Sequence, residues 1–274
     1  MDLQMTGWRA LLIGAGRGLG GAAAVSLSRE GVGVAVVART RAAVDERARL
    51  CREAGSPRAV AITADATDPG QLERAVNEAA AALGGLDVLV NSVGGSQPGG
   101  TEMDDAGWAA ALDRNLWPAI RSTRLALPYL EASARERGAA GSPPAVDARG
   151  NRGQSVVLHV ASIWGREGGG SMSYNAAKAA LISLAHEQAR ELAPRGVRVV
   201  SVAPGSVLHP GGSWERRLRA DPQGIADFVR REIPFGRFGT AEEVGDAIAF
   251  LCSPCASWIA GASVVVDGAQ SRSF

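Results

Sequence analysis

The chain has 274 residues, 46% of them hydrophobic, and a formal net charge of +1. That is enough for a full core in one large domain or two small ones, and near-neutrality gives no reason to expect nucleic acid or an anionic membrane as a partner. No apolar run reaches the roughly 18–20 residues that span a bilayer, and MDLQMTGWRA lacks a signal peptide's basic and apolar blocks, so a cytoplasmic protein is expected.

Short apolar runs alternate with alanine-rich helical stretches. Strands are predicted at Arg9–Ile13, Gly33–Ala38, Ala59–Thr63, Asp87–Asn91, Ser155–Ala161, Arg198–Ala203 and Ser263–Val266. The runs are continuous, as in strands covered on both faces. Helices are predicted over 18–30, 41–54, 69–83, 105–131, 173–193 and 241–252. This alternation argues for α/β architecture: a single Rossmann-type domain over 1–274, with a doubly wound parallel sheet of about seven strands flanked by helices.

Two segments break the rhythm. Residues 133–153, rich in Gly, Pro and Arg, read as an exposed, mobile insertion. Residues 204–239 open with PGSVLHPGGSW, hold a short helical stretch and follow a strand end, so a substrate lid is expected there. Cys252 and Cys255 form a C-x-x-C without a second pair or a histidine at zinc spacing. They read as reduced cysteines, and no metal is expected.

The stretch IGAGRGLGG, Ile13–Gly21, admits two nucleotide-binding registers. Gly16, Gly18 and Gly21 give GxGxxG; Gly14, Gly18 and Gly20 give GxxxGxG. A phosphate-binding turn begins where the strand ends, and the strand ends at Ile13, which favours the second register. The next strand ends VVART, with Arg39 where NAD-binding folds usually carry an acid. With Arg17 in the turn, two guanidiniums favour NADP(H) over NAD(H).

Tyr174 and Lys178 in SYNAAKAAL stand at i and i+4 on one helix face. A phenol titrates near ~10, and a neighbouring ammonium is expected to lower that value, making the pair an acid–base unit. Ser162 directly follows a predicted strand at the edge that carries the glycine turn.

In these motifs the sequence resembles the short-chain dehydrogenase/reductase family, and among its members the 3-oxoacyl carrier-protein reductases. The motifs are GAGRGLG, Asp65–Thr67 after the third strand, VNSVGG at Val90–Gly95, Asn115, Ser162, YNAAK, Pro204–Gly205 and VVVDGA. The resemblance implies that Tyr174 exchanges the proton, Lys178 holds the nicotinamide ribose and tunes Tyr174, and Ser162 positions the substrate oxygen. Asn115 would anchor a proton-relay water. Gly14, Arg17, Gly18, Leu19 and Gly20 would contact the cofactor, with Arg39 beside them. Asp65 would meet the adenine and Asn91 the ribose region. Ala66, Val93, Gly94, Pro204, Gly205 and Val207 are further implied cofactor contacts.

Ile13, Ser92, Val93 and His209 depart from the family pattern. His209 stands where a Thr often contacts the carboxamide; it is expected either to bond the carboxamide or the substrate, or to lie exposed on the lid. His159 and His186 read as structural. Gly95, Trp164, His209 and Trp214 are candidate substrate contacts, with Leu208 and Phe228 adding apolar surface suited to a lipid-like, cyclic or steroid-like ketone. Arg216, Arg217, Arg219, Arg230 and Arg231 either attract an acidic carrier protein or form solvated helix faces.

The expected activity is NADPH-dependent reduction of a 3-oxoacyl thioester or a secondary-metabolite ketone. An alcohol dehydrogenase working oxidatively, and a non-catalytic NADP(H)-binding sensor or scaffold, are the alternatives. Small and apolar residues on several faces of the helix after Tyr174 predict a homotetramer or homodimer.

Overall fold

A computed structural model describes residues 2–96, 99–139 and 154–273. Its strands are β1 (Arg9–Ile13), β2 (Gly33–Ala38), β3 (Ala59–Thr63), β4 (Val88–Asn91), β5 (Ser155–Val160), β6 (Val197–Pro204), β7 (Val207–Leu208), β8 (Gly239–Thr240) and β9 (Ser263–Val266). Seven of them form one parallel sheet, ordered β3-β2-β1-β4-β5-β6-β9, while β7 and β8 pair separately. The chain runs outward from β1 to β3, then returns to start β4 on the other side of β1. That reversal opens a crevice at the carboxyl ends of β1 and β4, where open α/β sheets bind ligands.

The helices are α1 (Gly18–Arg29), α2 (Arg41–Glu53), α3 (Pro69–Leu83), α4 (Asp105–Asn115), α5 (Trp117–Ala139), α6 (Met172–Leu192), α7 (Ser213–Ala220), α8 (Pro222–Glu232) and α9 (Ala241–Cys252). Both sheet faces are covered, which explains the continuous apolar strands. Leu12 and Val36 pack with Leu27 of α1 and Ile248 of α9. Leu11, Ile13 and Val37 face the other way, toward Leu72 of α3 and Leu130 of α5.

Three expectations change. The helix over 105–131 is two helices, broken at Leu116 (φ −124°, ψ −53°). Pro118 lies just beyond and restricts Trp117, so the break carries a local signal. The segment from Ser133 is not loop at its start: α5 continues through Ala139, with Ser133 and Ala134 buried. The cause is long-range. Ser133 Oγ accepts from Arg9 Nη2 at 2.7 Å, and Arg137 Nε donates to Asp87 Oδ1 at 2.8 Å. Burial pushes the Asp87 carboxyl up, but Arg9 and Arg137 outweigh it and hold the group below its ordinary range. The rest of the expected insertion, 140–153, lies outside the described residues. The segment expected to be a lid, 204–239, holds two helices, α7 and α8, rather than one short stretch.

Cys252 is buried, which pushes its thiol up to about 12. Among the described residues no cluster of His, Cys, Asp and Glu could hold a metal, and no helix is long and apolar enough to cross a membrane.

Candidate active site

The glycine turn folds over the end of β2: the Gly14 and Ala15 amides both donate to the Val37 carbonyl at 2.9 Å. Gly14 sits at φ +82°, and a Cβ there would lie 2.7 Å from the Ser92 carbonyl oxygen. A Cβ on Gly20 would lie 2.8 Å from the Gly14 carbonyl oxygen. These obstacles are backbone and cannot yield. At Gly21 a Cβ would meet only the mobile end of Arg47. Gly16 is tight as well, with a Cβ 2.9 Å from Ala38 Cβ, but only Gly14 and Gly20 press on backbone atoms, which favours the register through them. Gly18 adds a left-handed φ of +59° and opens α1.

No side chain caps α1, and its first turn carries no acid. Its leading N–H groups, from Gly18, Leu19 and Gly20, are free to receive an anion. Arg17 and Arg39 are exposed, and neither makes an ion pair among the described residues. Arg17 reaches the lid, where its Nη1 would touch a Cβ on Gly211 at 2.6 Å. Arg39 acts on Asp65, whose carboxyl is held low mainly by hydrogen bonds from Thr67. A backbone cradle, uncapped amides and two unpaired guanidiniums fit the phosphates of a dinucleotide.

Ser162 leaves β5 in extended backbone, and its Oγ accepts from the Trp164 amide at 3.2 Å. It also acts on the Tyr174 phenol, tending to lower it. Lys178, one turn along α6, is buried and donates from Nζ to the Val160 carbonyl oxygen at 2.9 Å. Burial pushes this ammonium down to about 8. The expected lowering of Tyr174 is not found. Burial raises the phenol, and Ser162 only partly offsets it. Lys178 Nζ stands 5.7 Å from the Tyr174 ring centroid and is aimed at the backbone instead.

Asn115 ends α4. Its Oδ1 accepts from the Gly95 amide at 2.9 Å, and its Nδ2 donates to the Ala111 carbonyl at 2.9 Å. Gly94 fits between Asn115 and Lys178: a Cβ on it would lie 2.8 Å from Asn115 Oδ1 and 3.0 Å from Lys178 Nζ. Asn115, Gly94, Lys178, Tyr174 and Ser162 thus form one contiguous group beside the crevice.

Other candidates separate. Asn91 turns its side chain into the core, accepting from Ser122 Oγ at 2.6 Å and donating from Nδ2 to His159 Nδ1 at 3.3 Å. His159 Nε2 then donates to Gln188 Oε1 at 2.9 Å. Burial pushes His159 down to about 4, so it is neutral and structural. The Asn91 side chain is thus engaged in the core. Asp65 spends Oδ1 on the Thr67 amide and hydroxyl, and Ala66 beside it is buried. Val93 packs against the core, and Pro204, Gly205 and Val207 form the strap from β6 into β7.

His209 is half-buried and lies over the turn, its Cε1 3.0 Å from a Cβ position on Gly18. This puts it with the phosphate cradle rather than loose on the lid. Trp164 lies on Gly169, and both it and Tyr174 border Gly170. Trp214 stacks on Phe228 with centroids 4.6 Å apart and meets Phe238 at 5.1 Å. The three rings cluster within the 204–239 segment, with Trp214 half-buried. The lid arginines are engaged: Arg219 with Glu215, Arg230 with Asp227, Arg231 with Glu232, Arg216 with the Gly211 carbonyl, and Arg217 over Trp214.

The family model described as short chain dehydrogenase matches residues 9–216. The cis-4-hydroxycyclohexanecarboxylate dehydrogenase of Sinomonas cyclohexanicum is 32% identical over 262 residues, 94% of each chain. The L-sorbose reductase of Gluconobacter frateurii, solved with NADPH and L-sorbose, superposes with a TM-score of 0.84 at 27% identity over 100% of both chains. A 7α-hydroxysteroid dehydrogenase, solved with NADH and 7-oxoglycochenodeoxycholic acid, has a TM-score of 0.84 at 26% identity, covering 99% of this chain and 97% of its own. A turn-and-crevice fold with these relatives identifies the chain as a member of the short-chain dehydrogenase family, an oxidoreductase acting on alcohol and carbonyl groups.

Proposed function

We propose that the chain is an NADPH-dependent reductase of a cyclic or otherwise bulky ketone, working in the cytoplasm as a homodimer or homotetramer. The observation that carries the reading is the contiguity of Ser162, Tyr174 and Lys178, with Asn115 meeting Lys178 across Gly94. Nicotinamide, when bound, supplies the hydride. Gly14, Gly18, Leu19 and Gly20 would hold its diphosphate. Arg17 and Arg39 would hold the 2′-phosphate that separates NADP(H) from NAD(H).

Tyr174 gives its phenolic proton to the substrate oxygen. Its raised affinity for that proton keeps it loaded at neutral pH, as an acid requires. Ser162 donates a second hydrogen bond to the same oxygen. Lys178, with its value near 8, sits close enough to neutrality to pass a proton back to Tyr174. Asn115 steadies the loop Gly94–Gly95, along which that proton would arrive. In the oxidative direction the same groups act in reverse.

Trp164 beside Tyr174 supports an apolar ring in the substrate. The lid arginines, paired within their own helices, give acyl-carrier docking no support. Exposed Ala176 and Ala179 on α6, with half-exposed Trp117 on α5, support self-association; light scattering at a monomer's mass would remove that part. The main test is Tyr174→Phe on a panel of cyclic ketones, with NADPH and NADH followed side by side. Turnover is expected to fall about 10²–10⁴-fold. Unchanged turnover would defeat the reading and leave a binding role.

A further inference from the structure

We infer that Glu167 is a positioning residue for the ketone cleft. It acts through the segment Asp267–Ser273, which ties the loop after Ser162 to the strap after Pro204. The inference rests on the reductase reading above.

The segment leaves β9 in a tight turn. Asp267 accepts from the Ala269 amide at 2.9 Å and from the Ser271 amide at 2.7 Å. Ala269 is held at φ +64°, a region that residues other than glycine rarely adopt. This presents Gln270 to the strap. The buried Gln270 Oε1 accepts from the Ser206 amide at 2.7 Å, and its Nε2 donates to Ser206 Oγ at 3.0 Å. Gly205 leaves room for this contact, since a Cβ there would lie 2.8 Å from Gln270 Oε1 and 2.6 Å from Asp267 Cβ.

The other end is held by one carboxylate oxygen. Glu167 Oε2 accepts from the Arg272 amide at 2.8 Å and the Ser273 amide at 2.7 Å. Glu167 lies on the loop that carries Trp164 onto Gly169 beside Tyr174. Ser206 lies on the strap that continues to His209 over the glycine turn. Two walls of the cleft, from successive strands β5 and β6, are therefore held at a fixed spacing by a third segment. None of these bonds touches the phosphate cradle or the Ser162–Tyr174–Lys178 group. Loss of Glu167 should loosen ketone binding and leave the chemical step in place.

The test compares Glu167→Ala, Glu167→Gln and the parent chain. In Glu167→Ala the KM for the ketone should rise about tenfold, with kcat within about twofold. Glu167→Gln keeps a carbonyl oxygen for both amides and should restore KM. A second readout needs no turnover. In cofactor-free protein, NMR hydrogen exchange at the Ser206 amide should quicken in Glu167→Ala relative to the Val200 amide of β6, which reports global opening. Unchanged relative exchange at Ser206 overturns the coupling. Faster exchange with an unchanged KM overturns the positioning role. If no variant, nor the parent chain, reduces any ketone, the reductase reading has failed, and the exchange result still decides the coupling.

Discussion

Lys178 donates from Nζ to the Val160 carbonyl oxygen across 2.9 Å, tying α6 to the end of β5 while keeping its charge out of water. Burial pushes the ammonium down to about 8 from 10.5. Between those values the unfolded chain binds more protons than the folded one. The destabilisation is therefore full below about 8 and fades as pH rises toward 10.5. Lys178→Met is expected to raise stability by roughly 2 kcal/mol at neutral pH while removing ketone turnover. Calorimetry checks this: the gain should be larger at neutral pH than near the ordinary lysine value.

The glycine register can be read by substitution. Gly14→Ala places a methyl against the Ser92 carbonyl at a left-handed φ, so it should destabilise by on the order of 2–3 kcal/mol and abolish cofactor binding. Gly21→Ala meets only the end of Arg47 inside α1, and should be neutral or stabilise by up to about 1 kcal/mol. Urea unfolding and NADPH fluorescence titration measure both. Equal damage at the two positions would refute the assignment.

Cofactor choice is expected to turn on Arg39, which is exposed beside Asp65 and free of ion pairs among the described residues. Arg39→Asp should weaken NADPH binding about 10–100-fold, the scale of one charge-assisted hydrogen bond, and leave NADH binding nearly unchanged. Equal losses for both cofactors, measured as Kd values, would remove the 2′-phosphate from its role.

His159 makes the fold acid-sensitive. Its folded value of about 4 lies below the ordinary 6.5, so acid protonates the unfolded imidazole first. The stability it contributes is complete above 6.5 and drains as pH falls toward 4, at up to about 1.4 kcal/mol per pH unit. His159→Gln keeps polar partners for Asn91 and Gln188 without a titrating ring. Its stability should fall less steeply across that window in urea titrations. Parallel slopes would exclude His159 as the acid trigger.

Much of the site was legible because it is local. The strand end at Ile13, the glycine spacing and the Tyr174–Lys178 interval are set by neighbours in the chain. The break at Leu116 carries a local signal, Pro118, which a single helix over 105–131 overlooks. Ser133–Ala139 was not legible. Its composition reads as loop, and Asp87, through Arg137 and the Arg9 bond to Ser133, draws it into a helix. Trp214 reads as an apolar surface of its segment, and only the tertiary structure shows that it stacks on Phe228 and meets Phe238.

The sequence by itself determined the seven strands of the main sheet, the glycine turn and the types of residue at the crevice. Those follow from backbone preferences and side-chain periods acting over a few residues. The tertiary structure decided which groups face one another. Asn91 turns to His159 rather than to a cofactor, Lys178 anchors to a backbone carbonyl and loses proton affinity, and Glu167 holds amides more than a hundred residues away. A side chain's partner and its solvation depend on segments far along the chain, and no local pattern encodes them.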